Sequence, residues 1–261
     1  MSTVTSKDGT TIAFERLGAG PALILVDGAM CSREFGPMPK LAPLLAKHFT
    51  VFMYDRRGRG GSKDTQPYAR EREVEDIAAL IEAAGGKAYV VGLSSGAALA
   101  MEAAASGLSI PRLAVYEPPY MVDDPRDHTG HEAHLKRLVA AGQRGAAVKY
   151  FMRDMVGIPA PFVFLMRVLP PGMWRKLEGV AHTLPYDAAI MNEFKVPTSR
   201  LAAITSPTLA MNGEKSEARL KKATHTVASA IPNAQHRTLK GQTHNVNPEV
   251  LTPELVEFFA A

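Results

Sequence analysis

Gly92-Leu93-Ser94-Ser95-Gly96 is the stretch whose residue types and spacing point most directly to chemistry. An apolar strand pattern over 89–93 runs into it, and an alanine-rich helix pattern over 95–105 leaves it. A strand-to-helix turn that sharp leaves no room for a bulky Cβ two residues either side, and it strains the residue at its tip. The strain exposes the Ser94 Oγ at the positive end of a helix dipole, where a developing oxyanion is stabilised. Ser94 is therefore the candidate nucleophile.

A serine hydroxyl is a weak nucleophile at neutral pH and needs an imidazole within hydrogen-bond reach to take its proton. Eight histidines compete for that role. His48 falls near a helix end, His225 within a helix, and His236 at a polar position of an alternating strand. His128, His131 and His134, spaced by three, could face a metal. No cysteine or matching carboxylate set accompanies them, so they read as a solvated helical face. His244 alone sits in a loop between a strand and the last helix.

Charge and composition narrow the class. The net charge is +4 and the 30 basic residues are scattered, which gives no concentrated face for nucleic acid. Arg56-Arg57-Gly58-Arg59-Gly60-Gly61 looks like an RNA-binding tract, but it is one short copy directly after a strand and reads as a loop. Cys31 is the only cysteine, so neither an intramolecular disulfide nor a thiol-based metal cluster can form. The N-terminus has no apolar signal region, and the best apolar run, 159–166, stops at Arg167. The expectation is a cytoplasmic protein with no metal, no cofactor, no membrane and no nucleic-acid partner. Export by a signal already removed, and homo-oligomerisation, are left open.

The elements that must position Ser94 alternate. Two strands over 3–6 and 10–16 flank an Asp8-Gly9 turn. Buried strands follow over 22–27 and 50–55, with a helix over 41–47 between them. A helix over 70–84 has apolar residues at Val74, Ile77, Ala78 and Ile81. Further strands cover 112–117, 207–213 and 235–239, with helices over 217–230 and 248–259. The class predicted is α/β, a mostly parallel sheet with helices on both faces. The stretch 118–200 breaks the rhythm with two proline pairs, many Met and Phe, the only tryptophan (Trp174) and no strand pattern. It reads as a helical cap inserted into a core formed by 1–117 and 201–261.

Taken together, these residues resemble the α/β-hydrolase fold family along essentially the whole chain. Asp27-Gly28-Ala29 is similar to the family's His-Gly-x oxyanion loop. Asp55-Arg-Arg-Gly58-Arg-Gly60-Gly-Ser62 is similar to its D-x-R-G-x-G-x-S loop. The Ser94 turn follows, and Gly241-Gln-Thr-His244 is similar to the G-x-x-H that carries the catalytic histidine. The resemblance implies His244 as base and the backbone N–H groups of Ala29 and Ser95 as oxyanion donors. Asp27 stands where the family has histidine, a departure that bears on hydrogen bonding around the loop.

The acid that orients the imidazole is the harder assignment. The family's usual site, G-x-x-D after the strand over 207–213, reads Gly213-Glu-Lys-Ser216 here, and serine supplies no charge. Glu214 and Glu217 flank it and look like solvated side chains at a helix start. The other known location is the strand end at Tyr116-Glu117-Pro118-Pro119. Glu117 is favoured, with the residues near Glu214 as the alternative. Val26-Asp27-Gly28, the Ser94 turn and Glu117 also look like the fungal zearalenone lactonases, cofactor-free enzymes with a Ser–His–Glu triad. That likeness implies ester or lactone chemistry and makes Trp174 a candidate substrate contact. Met30, Met155 and Phe162 join it as candidates for an apolar pocket. The expected activity is hydrolysis of a small ester or lactone through an acyl-enzyme on Ser94. The rivals are a cofactor-free enzyme of another reaction type (haloperoxidase-like, carbon–carbon bond hydrolase or acyltransferase) and a non-catalytic ligand-binding member of the fold.

Overall fold

The computed structural model describes residues 1–169 and 172–261; the Pro170-Pro171 pair lies outside them. Eight strands form one sheet, in the order β1-β2-β4-β3-β5-β6-β7-β8. They are β1 (Ser2–Thr5), β2 (Thr11–Leu17), β3 (Ala22–Val26), β4 (Thr50–Tyr54), β5 (Tyr89–Leu93), β6 (Leu113–Tyr116), β7 (Thr208–Gly213) and β8 (Ala234–Leu239). The first two pairings, β1 with β2 and β2 with β4, are antiparallel; the remainder are parallel.

Strand periodicity explains the layers. Even-numbered side chains of β3, β4 and β5 (Ile24, Val26, Phe52, Tyr54, Val90) point to one face. There they pack against α2 (Arg70–Ala83) and α3 (Ser95–Ala105), and α10 (Ala218–Ala230) covers the same face. Odd-numbered ones (Leu23, Leu25, Val51, Met53, Val91, Leu93) pack against α1 (Met38–Leu45) and α11 (Pro248–Ala260). Each strand is thus apolar on both sides, as a covered parallel sheet requires. The helix read over 41–47 begins at Met38, because Pro39 in the first turn lacks only an N–H that the helix would leave unpaired anyway.

Chain order reverses at β3. The chain leaves β3 to form β4 on one side, and β5 later pairs along its other side, Val26 opposite Gly92. A crevice opens at the carboxyl ends of strands on either side of such a switch. The residues leaving it here are Asp27-Gly28-Ala29 and Ser94.

Among the described residues six α-helices lie between β6 and β7: α4 (His131–Ala140), α5 (Arg144–Tyr150), α6 (Ala160–Val168), α7 (Met173–Gly179), α8 (Leu184–Ile190) and α9 (Thr198–Leu201). A π-helical turn, Phe151–Met155, continues α5. The insertion has its own apolar core, with Leu135, Phe151, Met152, Trp174, Leu184 and Phe194 among its members. The histidine stripe is corrected here. His128 precedes α4, and both it and His131 are only 9% exposed. Their rings meet Phe194 edge-on at 5.2 and 5.7 Å, and a His131 ring nitrogen bonds the Tyr150 hydroxyl at 2.8 Å. They pack the insertion and do not form a solvated face.

Asp187 of the insertion reaches the turns at the carboxyl ends of β4 and β5. Asp187 of α8 is fully buried, with Oδ1 accepting from Arg56 Nη1 at 2.7 Å and Ser95 Oγ at 2.8 Å, and Oδ2 accepting from Arg59 Nη2 at 2.6 Å. Removing one member of a buried ion cluster leaves uncompensated charge, so Asp187→Ala should cost about 3–5 kcal/mol in urea-induced unfolding. A loss below about 1 kcal/mol would mean that the two arginines find other partners.

Candidate active site

Ser94 follows β5 directly and takes φ 55°, ψ −126°, a conformation uncommon for a residue with a side chain. The turn is held by its neighbours. Ser94 N–H donates to Tyr116 O at 2.9 Å on the adjacent strand. A Cβ on Gly92 would lie 2.5 Å from Gly96 O, and one on Gly96 would lie 2.2 Å from Val26 O. Glycine is required at both positions by the closeness of backbone, as the sequence motif implied.

Glu117 leaves β6 in the next strand over and is fully buried. It too has a positive φ, 45°, with its N–H donated to Met211 O at 2.9 Å. Its Oε1 accepts the Gly213 N–H at 2.7 Å, and its Oε2 lies 2.7 Å from His244 Nδ1. An ionised carboxylate only accepts, so Nδ1 carries the proton in this pair and Nε2 is left as the basic nitrogen. The His244 loop is tied down on several sides. Tyr116 Oη donates to Thr243 O at 2.6 Å, Lys215 N–H donates to Gln242 O at 2.8 Å, and Asn247 caps α11 through Glu249 N–H at 2.9 Å. Glu214 accepts from Gly241 N–H at 2.8 Å and Glu217 pairs with Arg219 at 2.6 Å; both are exposed and neither meets His244.

Ser94 and His244 line one cavity of about 470 Å³ without a hydrogen bond between Oγ and Nε2 in this arrangement. Catalytic hydrogen bonds are often long before substrate binds. Ala29 and Ser95 line the same cavity. The loop carrying Ala29 passes close to the serine, since a Cβ on Gly28 would lie 3.2 Å from Ser94 Cβ. Arg59 Nη1 donates to Gly28 O at 2.7 Å. In a trans peptide the Ala29 N–H points the opposite way, away from Arg59.

Met30 and Met155 line the cavity, joined by Met121, Met152, Met166 and Met191. Trp174 and Phe162 do not. The Trp174 indole N–H finds its partner one helical turn on, at Glu178 Oε1 (2.7 Å), and the ring faces a different cavity. Phe162 is 60% exposed, because α6 turns Val163 inward. Residues outside the sequence reading complete the site. Arg56 and Arg59, read there as a plain loop, are buried and bridge Asp187 to the Ser94 and Gly28 turns. Asp187 is a lone acid in the apolar run Leu184–Ile190, and that isolation was its only signal. Burial opposes its charge, but Arg59 and Arg56 hold its carboxyl below the usual range. Burial also pushes the Cys31 thiol up, so it stays protonated at neutral pH.

Asp27 behaves differently. Its Oδ1 accepts the Gly28 N–H at 2.7 Å, its Oδ2 is buried without a hydrogen-bond partner, and burial raises its pKa to about 6.

A model of the alpha/beta hydrolase family matches residues 18–255. A pimeloyl-[acyl-carrier protein] methyl ester esterase of Xanthomonas campestris pv. campestris is 28% identical over 235 residues, 87% of this chain and 89% of that protein. The crystal structure of an alpha/beta hydrolase from Sphaerobacter thermophilus DSM 20745 matches at 53% identity and a TM-score of 0.92, covering 99% of this chain and 100% of that one. The enol-lactonase of Burkholderia xenovorans LB400 shares the fold, at 20% identity and a TM-score of 0.73 over 100% of both chains.

The Asp27 environment fixes a sign for pH dependence. Between its ordinary value of 3.8 and about 6, the folded protein keeps a proton on Asp27 that the unfolded chain has released. This group therefore subtracts stability as pH rises through that window. Asn at this position still accepts the Gly28 N–H but cannot ionise. Relative to wild type, Asp27→Asn should gain about 2 kcal/mol between pH 4 and pH 7 in urea unfolding. Parallel pH profiles for the two proteins would show that Asp27 ionises freely.

Proposed function

Because the chain belongs to the alpha/beta hydrolase family, we propose that it hydrolyses a carboxylic ester or lactone of a largely apolar small molecule through an acyl-enzyme on Ser94. One observation carries the proposal: a buried glutamate 2.7 Å from the Nδ1 of a histidine that shares a cavity with a strained serine at a helix N-terminus. The apolar, methionine-rich cavity lining supports an adaptable fit to apolar substrates. The methyl ester esterase relative, with 87% of this chain aligned, supports ester chemistry.

In the proposed reaction, Ser94 Oγ attacks the acyl carbon as its proton passes to His244 Nε2. Glu117 holds the ring by Nδ1 and stabilises the imidazolium. The oxyanion takes hydrogen bonds from the N–H groups of Ala29 and Ser95, preorganised at the N-terminus of α3. Collapse expels the alkoxide, which takes the proton from His244. In a lactone that alkoxide remains on the acyl chain. Water then loses a proton to His244 and attacks the acyl-enzyme, and the proton returns to Ser94 Oγ as the acid leaves.

Ser94→Ala should lower kcat on a panel of esters and lactones by about 10⁴- to 10⁶-fold with the fold retained by circular dichroism. Glu117→Gln should lower it by about 10⁴-fold. A fluorophosphonate should label wild type covalently on Ser94. Undiminished turnover in Ser94→Ala would sink the proposal. Full activity in Glu117→Gln with loss in Glu214→Gln would reassign the acid.

A further inference from the structure

A second cavity, of about 490 Å³, opens between α5, α6 and α7 and is separate from the one that holds Ser94. Lys149, Arg153 and Arg167 line it together with Gly145, Val163, Phe164 and Trp174. Glu178 stands at its wall beside Gly145, but its Oε1 is taken by the Trp174 indole N–H at 2.7 Å and three lining cations outnumber it. Among the described residues no carboxylate pairs with Lys149 or Arg167. Arg153 pairs only with its neighbour Asp154, at 3.7 Å and with both side chains about half exposed. Three cations around one concavity repel one another, and an anion between them relieves that repulsion.

The surroundings are apolar. Phe162, Phe164, Leu165, Val168 and Leu169 are all exposed along and just beyond α6, a helix in which only Val163 is fully buried. Residues 144–179 hold six basic and two acidic side chains, a surplus of four that equals the net charge of the entire chain. The rest of the chain is balanced, so the positive surplus and the exposed apolar side chains coincide on one part of the insertion. Two copies meeting through α6 would bring these cations together, which disfavours self-association through this surface.

We propose that this cavity binds the head group of an amphipathic anion. The ligand class is a phosphate or carboxylate carried on an alkyl or acyl chain. Arg153 and Arg167 grip the head group with charge-assisted hydrogen bonds and Lys149 adds a point charge. The chain lies against Phe164, the Trp174 ring and the exposed face of α6, removing apolar surface from water. Such a site accounts for Trp174, which has no place in the catalytic cavity.

Trp174 is the only tryptophan and lines this cavity, so its fluorescence is a direct reporter there, and the arginine variants below separate that signal from binding beside Ser94. Ser94→Ala protein would be titrated with decyl phosphate below its aggregation concentration, which tests binding whether or not the hydrolase assignment holds. The expected result is a saturable change in Trp174 emission, absent with neutral decyl maltoside. Arg153→Ala/Arg167→Ala should weaken decyl phosphate binding by about ten-fold or more. In the Ser94-containing background the same pair should leave hydrolysis of a short p-nitrophenyl ester unchanged. Phosphatidylcholine vesicles with and without phosphatidylglycerol identify the source. A response to the anionic vesicles assigns a membrane lipid, and a response to the monomer alone assigns a free amphiphile. Equal responses to decyl phosphate and decyl maltoside, no saturable response, or unweakened binding in the double variant would each overturn the proposal.

Discussion

The sharing of one carboxylate, Asp187, among Arg56, Arg59 and Ser95 is the interaction on which the geometry of the site depends. Each of the three ions is fully or almost fully buried. Burying them individually would cost several kcal/mol apiece, and only near-complete pairing offsets that cost. The pairing is near-complete. Arg56 also binds Glu73 through Nε and Nη2 at 2.7 and 2.9 Å, and Arg59 also binds Gly28 O. The network touches α3 at Ser95, the loop after β3 at Gly28 and the inserted helices at Asp187. Seating the insertion and orienting the two backbone turns beside Ser94 are therefore one energetic event.

Rigidity of that kind is needed because the site stores strain. Met30, Ser94 and Glu117 each have a side chain and a positive φ, of 60°, 55° and 45°, and all three follow the carboxyl end of a strand in the middle of the sheet. Such conformations persist only where the surroundings over-determine them. At Ser94 and Glu117 the over-determination is visible as backbone hydrogen bonds to the neighbouring strand, through Tyr116 O and Met211 O. The central parallel strands thus act as the frame against which Ser94 and Glu117 are bent into position.

Much of this was legible from residue order alone, for physical reasons. Buried strands betray themselves by continuous apolar runs, and α3 by small residues that let it lie close on β3 and β5. Positions such as Ser94 and His244 carry local signals, glycines in one case and a loop between strand and helix in the other. What stayed hidden is whatever depends on a partner distant in sequence. Asp187 lies 128 residues from Arg59, and nothing local to either announces the pair. The Arg56-Arg57-Gly-Arg59 stretch reads as a plain loop until four carboxylates, Asp8, Glu73, Asp76 and Asp187, are brought to it. The histidine stripe failed for the converse reason. Its spacing is helical, but α4 starts only at His131, and Phe194 and Tyr150 arrive from elsewhere to bury the rings.

The histidine's carboxylate is anchored at the end of β7. A Cβ on Gly213 would lie 2.4 Å from Gln242 O and 2.7 Å from Ser216 Oγ. The space beyond that strand is thus already filled by the backbone leading to His244 and by a small buried side chain. The position that would carry an acid there is Ser216, which has no charge, and the neighbouring Glu214 turns outward to accept the Gly241 N–H. Glu117, one strand further in, is a carbon longer than aspartate and reaches across β7. It accepts the Gly213 N–H with one oxygen on the way and meets His244 with the other. The end of β7 contributes a backbone donor where the sequence pattern would place an acid. That donor is what fixes the glutamate's rotamer, and through it the imidazole.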